Sequence, residues 1–132
     1  MTLAGPTILV VEDEPLIRLS ATEALDALGF VVLEAGNAEE AIAVLEIVTD
    51  VSVVFTDVQM PGAMDGVALA AVIRQRWPNM AIVVTSGQVR PAEVEVPAGT
   101  DFLTKPYLID ELIAKLCGGC GYGSEGADHH PA

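Results

Sequence analysis

Five short aliphatic runs alternate along this chain with amphipathic helical stripes, and no other feature restricts its fold as much. Residues 7–11, 30–34, 51–56, 81–85 and, more briefly, 101–103 read as strands bounded by turn residues. Their hydrophobicity is continuous, the pattern expected of strands covered by helices on both faces of a parallel sheet. Ile17, Ala21, Ala24, Leu25 and Leu28 share one helical face, which Gly29 ends. Ala38, Ala41, Ile42, Leu45 and Val48 form a second stripe, with Asn37 and Glu40 placed as a capping pair. Gly66, Leu69, Ala70, Ile73 and Trp77 form a third, stopped by Pro78; Ile109, Leu112, Ile113 and Leu116 form the last.

Right-handed crossovers turn this order into an α/β fold, a doubly wound five-stranded parallel sheet with strand order 2-1-3-4-5. The segment 86–100 carries Pro91, Pro97 and two glycines, so the fourth helix is expected to be short or missing. Residues 1–116 read as one domain and 117–132, CGGCGYGSEGADHHPA, as a flexible Gly-rich tail. Sixteen residues are too few to make a second domain.

Composition narrows the function. Of 132 residues, 52% are hydrophobic but only 5% aromatic, so Val, Leu, Ile and Ala build the core. A formal net charge of −13 repels phosphate backbones, and the six Lys and Arg residues form no run, which disfavours nucleic-acid binding. No apolar run is long enough to span a bilayer and no leader pattern opens the chain, so the expected location is cytoplasmic. Cys117 and Cys120 give no disulfide framework. With His129 and His130 they could supply four zinc ligands, but a glycine-rich gap and no supporting pattern favour a plain tail.

Ligands of open parallel sheets bind beyond the carboxyl ends of the strands. There the first strand delivers Glu12-Asp13-Glu14, the third Asp57, the fourth Thr85-Ser86 and the fifth Thr104-Lys105-Pro106. Clustered carboxylates with oxygen-only donors suit a hard cation such as Mg²⁺. A carboxylate can attack phosphorus to give an acyl phosphate, while a lysine and a hydroxyl stabilise the transferring oxygens.

Four motifs in order, ILVVEDEPLIR at 8–18, FTDVQMPGAMDG at 55–66, VVTSG at 83–87 and FLTKPY at 102–107, closely resemble the response regulator receiver domain of two-component signalling, with its flavodoxin/CheY-like fold. The resemblance implies that Asp57 is the phosphoacceptor. It also implies Mg²⁺ (or Mn²⁺) held by Asp13, Asp57 and the backbone carbonyl of Gln59, with Glu12 acting through water. Thr85 would hydrogen-bond the phosphoryl group, Lys105 would pair with it, and Thr85 and Phe102 would form the switch. A cis Lys105–Pro106 peptide is expected to aim the lysine.

Plainer readings accompany each residue. Asp57 could be a strand-end turn residue, Asp65 reads as a cap for the third helix, and the acidic trio could be a helix-start cluster. Thr85 could be a plain strand-end hydroxyl, Lys105 a surface charge, and Phe102 a core aromatic. Tyr107 could pack beneath the last helix or lie on a partner surface. Three features depart from the family pattern: Glu12 in place of the commoner Asp, one extra residue near Ala63, and the shortened 86–100 segment.

The expected function is therefore that of a phosphoacceptor receiver, phosphorylated on Asp57 by a sensor histidine kinase or His-phosphotransfer protein and thereby switching its binding to an unidentified protein target. It is expected to catalyse only its own phosphoryl transfer and autodephosphorylation. A degenerate receiver acting as a phosphorylation-independent binding module is one alternative. A haloacid-dehalogenase-type phosphohydrolase is another, though that family wants an acid at the position of Gln59.

Overall fold

A computed structural model describes residues 6–60, 62, 64–87, 99–105, 107 and 109–120. Its elements run β1 (Thr7–Val11), α1 (Pro15–Ala27), β2 (Val31–Ala35), α2 (Ala38–Ile47), β3 (Val51–Asp57), α3 (Gly66–Arg76), β4 (Ala81–Ser86), β5 (Thr100–Thr104) and α4 (Ile109–Cys120). The five strands form one parallel sheet in the order β2-β1-β3-β4-β5, as the alternation predicted. Among the described residues no helix lies between β4 and β5; most of the 86–100 segment, residues 88–98, lies outside them.

Period-two alternation sends the strand side chains to two cores. Leu9, Val11, Val54, Ile82 and Val84 meet Ala38, Ala41 and Leu45 of α2 and Leu69, Ala70 and Ile73 of α3. Ile8, Val10, Val53, Phe55, Val83 and Leu103 meet Ala21 and Leu25 of α1 and Leu112 of α4. Each Leu or Ile fully removed from water contributes about 1.5–3 kcal/mol, so the central strands β1, β3 and β4 anchor the molecule. That rigidity holds the ends of these strands in place.

The helix ends follow the local chemistry. Asn37 Oδ1 accepts the Glu40 N–H at 2.8 Å, while Glu40 Oε1 reaches past it to the Gly36 N–H at 2.7 Å. Asp65 caps α3 by accepting the Ala68 N–H at 2.9 Å. Gly29, at φ +98°, makes the left-handed turn after α1.

Two expectations need correction. Ile17 and Leu28 do not complete a buried face of α1; they are 44% and 48% exposed, and Ala21, Thr22 and Leu25 are the residues this helix buries. The strip that the helix buries is narrower than its apolar stripe offers. The last helix also continues through Cys120, past the boundary expected at residue 116, and the tail from residue 121 lies outside the described residues.

Candidate functional site

Three strand ends and one strand-to-helix turn create the site. β1 ends at Val11, and the Glu12 N–H still bonds to the Ala35 carbonyl of β2 at 3.0 Å, so Glu12 is held as an extension of the sheet. Pro15 starts α1, and Glu14 makes no side-chain cap there. Instead Glu12 Oε2 accepts the Glu14 N–H at 3.1 Å. Arg18 grips the same turn, with Nη1 donating to the Glu12 carbonyl at 2.7 Å and Nε to Glu34 Oε1 at 3.1 Å.

In the sheet register Asp57 lies opposite Thr85, and Ser86 opposite Thr104. The Val58 N–H bonds to the Thr85 carbonyl at 2.9 Å, and the Lys105 N–H to the Ser86 carbonyl at 3.0 Å. The ladder thus guides both chains as they leave the sheet. Lys105 Nζ stands 3.2 Å from Asp57 Oδ2 and 3.6 Å from Glu12 Oε1.

Glu12, Asp13 and Asp57 each place a carboxylate oxygen within 4.8 Å of the others. Glu12 and Asp57 are buried and Asp13 is half-buried. Burial pushes the Glu12 carboxyl above its ordinary value; the Glu14 N–H bond opposes this, the charge of Asp57 adds to it, and Lys105 offsets part of it. Asp57 Oδ1 and Thr85 Oγ1 are buried with no hydrogen-bond partner among the described residues. A buried acceptor and a buried hydroxyl without partners are costly unless a ligand engages them. This donor set, all oxygen and anionic, fits a hard divalent cation such as Mg²⁺.

Gly66 supplies a requirement that the helical stripe concealed. A Cβ added there would lie 2.0 Å from the Asp57 carbonyl oxygen and 2.8 Å from Val58 Cα. The Gly66 N–H also bonds to the Val58 carbonyl at 2.8 Å, so α3 begins in backbone contact with the residue that carries the central carboxylate. The only sequence sign was a glycine where a helix starts. Arg18 gave less warning still, since its carbonyl contact depends on tertiary placement.

The structure therefore brings Glu12, Asp13, Asp57, Thr85 and Lys105 to one sheet edge. Gln59 is exposed beside them, with its side chain turned toward Ser86 at 3.0 Å, and an open groove lined by Asp13, Val58, Gln59, Met60 and Asp65 runs past the cluster. Asp65 is occupied as the α3 cap. Phe102 is half-buried against the α2–α3 core. Tyr107 packs edge-to-face on Phe55 at 5.7 Å, and burial followed by the charges of Glu12 and Asp57 raises its phenol above 10.0. On the α1 side, Leu16, Ile17, Ala21, Gly87, Lys105 and Tyr107 line an apolar cleft that opens beside the lysine. Pro106 and Ala63 lie outside the described residues, and with them the cis-peptide expectation and the extra loop residue.

Residues 8–117 match the response regulator receiver domain family. The chain is 34% identical to the sensor kinase CckA of Brucella abortus over 83% of its length and 12% of that protein. It is 33% identical to the transcriptional regulatory protein TcrA of Mycobacterium tuberculosis over 86% of its length and 46% of that protein. It thus spans less than half of either relative. Among solved structures, a response regulator receiver protein from Sinorhizobium medicae superimposes with a TM-score of 0.81 at 30% identity, covering 92% of this chain and 98% of that one. The receiver domain of a hybrid histidine kinase CckA gives 0.73 at 33% identity, covering 86% and 98%.

Proposed function

The chain belongs to the response regulator receiver domain family, and from that premise we propose that Asp57 accepts a phosphoryl group from a phosphohistidine of a sensor histidine kinase or phosphotransfer protein. One carboxylate oxygen of Asp57 bonds to phosphorus, the phosphorus–nitrogen bond of the donor breaks, and the imidazole nitrogen leaves with the electron pair. The observation that carries this reading is the pairing of Asp57 with Lys105 at 3.2 Å while its other oxygen, Oδ1, is buried and has no partner among the described residues.

Asp13 and Asp57 hold the cation, with the Gln59 carbonyl completing the protein ligands and Glu12 acting through water. A bound Mg²⁺ supplies positive charge that offsets repulsion between these carboxylates and the incoming phosphoryl oxygens. Lys105 orients and neutralises the same oxygens, and the Thr85 hydroxyl donates to one of them. Thr85 and Phe102, on adjacent strands, then carry the change to a protein target. The apolar cleft beside Lys105 offers the donor protein a surface next to the reacting atoms. The receiver unit is taken through the end of α4 at Cys120, with the Gly-rich residues beyond it as an appended tail. A cytoplasmic setting suits a donor that is itself phosphorylated at the expense of ATP.

Incubation with a small acyl phosphate and Mg²⁺, followed by intact mass and peptide mapping, tests the proposal. The expected result is one added phosphoryl group on Asp57, lost in Asp57→Asn and kept in Asp65→Asn. A folded protein that gains no mass, or gains it elsewhere, refutes it.

A further inference from the structure

Past Val58 the chain leaves the sheet, and among the described residues no backbone–backbone hydrogen bond engages Gln59 or Met60. Yet these two residues form one wall of the groove that faces Asp13. Met60 packs against the α2–α3 core, and Gln59 is held by a side-chain bond across 27 residues: Ser86 Oγ donates to Gln59 Oε1 at 3.0 Å. Ser86 is well placed to act as an anchor. It is 0% exposed, paired opposite Thr104 in the β4–β5 ladder, and its carbonyl accepts the Lys105 N–H. Gln59 is exposed and, without such a tie, its long amide side chain regains rotamer freedom.

We propose that Ser86 is a positioning residue for the cation site, its hydroxyl clasping Gln59 so that the 59–60 turn presents its backbone oxygen beside Asp13 and Asp57. This rests on the function proposed above. The clasp joins the turn to the residue following Thr85, so one hydrogen bond connects the cation wall of the site to its phosphoryl wall. Groups that orient metal ligands without touching the metal are commonly worth about tenfold or more in affinity. For one exposed partner the lower end of that range applies.

The test is a Mg²⁺ titration of the full chain followed by backbone amide NMR shifts, for the native protein, Ser86→Ala, Gln59→Leu and the double variant. Each single variant is expected to weaken Mg²⁺ binding by about tenfold, and the double variant to weaken it no further. Affinities within twofold of native in both single variants overturn the clasp, as do losses that add in the double variant. Should Ser86→Ala fail to fold, Gln59→Leu decides alone, because its side chain is on the surface. Native protein without saturable shifts that Asp57→Asn abolishes would instead overturn the reading of the site, and the clasp with it.

Discussion

Lys105 Nζ stands 3.2 Å from Asp57 Oδ2, close enough for a charge-assisted hydrogen bond, and 3.6 Å from Glu12 Oε1. The one ammonium therefore serves two carboxylates at once. Any divalent cation entering the cluster must share those carboxylates with it. Replacing Lys105 by Met removes a positive charge at this range, so Mg²⁺ affinity should rise by about three- to tenfold; partial exposure of the lysine keeps the gain well below the low-dielectric limit. Phosphoryl transfer to Asp57 should meanwhile slow by about 10- to 100-fold, because the transferring oxygens lose a donor. Titration by amide shifts and the time course of mass gain check both halves. Tighter Mg²⁺ binding with undiminished transfer would remove Lys105 from the chemistry.

Glu12 makes stability depend on pH in a direction opposite to an ordinary salt-bridged acid. Its folded-state pKa is raised above 4.5, first by burial, against the bond from the Glu14 N–H, and then by Asp57. A raised acid contributes stability that is fully present below the unfolded value and is lost as pH rises through the folded value. Urea unfolding without Mg²⁺, from about pH 4 to pH 7, should show the advantage of the native chain over Glu12→Gln shrinking as pH rises. Mg²⁺ favours the carboxylate, so its binding near the folded pKa should release protons, measurable as a buffer-dependent heat. A difference between the two proteins that is flat across the range would dispose of this account.

How much of the molecule could be read from its sequence differs between the sheet and the site. Continuous aliphatic runs identified the strands because every central strand is buried on both faces, as Val53 and Val54 on opposite sides of β3 show. Asp57, Thr85 and Lys105 were legible because a residue at the end of a parallel strand has its position set by the ladder, independent of the loop beyond it. The side of α1 was not legible. Its apolar stripe is wider than the strip it buries, and spacing alone does not tell that Ile17 and Leu28 stay exposed. Nor could the contacts of Arg18 with the Glu12 carbonyl, or of Ser86 with Gln59, be read from spacing, since each joins segments that meet only through the fold.

Asp65 separates a structural acid from a chemical one. Its side chain caps α3 through the Ala68 N–H at 2.9 Å, although it borders the same groove as Asp13. Asp65→Ala should cost about 1 kcal/mol of stability, the usual worth of such a cap, and leave phosphorylation of Asp57 in place. Denaturant midpoints and phosphoryl mapping on the same samples give both readouts. Loss of the label at full stability would assign Asp65 to the cation site.

Gly66 offers a test in which two effects have opposite signs. Helix propensity alone favours alanine over glycine by up to ~1 kcal/mol, so a simple first-turn position would be stabilised by Gly66→Ala. The structure demands the reverse. The new Cβ would meet the Asp57 carbonyl oxygen at 2.0 Å, the Asp57 carbonyl carbon at 2.7 Å and Val58 Cα at 2.8 Å. All three are backbone atoms, so no rotamer change relieves the contact; either α3 or the end of β3 must move. Overpacking of this kind costs about 1–3 kcal/mol. Because the displaced backbone belongs to Asp57 itself, Gly66→Ala should also weaken Mg²⁺ binding and lower the yield of phosphorylated Asp57 in protein that remains folded. Urea unfolding read beside the Mg²⁺ titration distinguishes the cases: a more stable variant with native affinity would mean that α3 does not press on the end of β3.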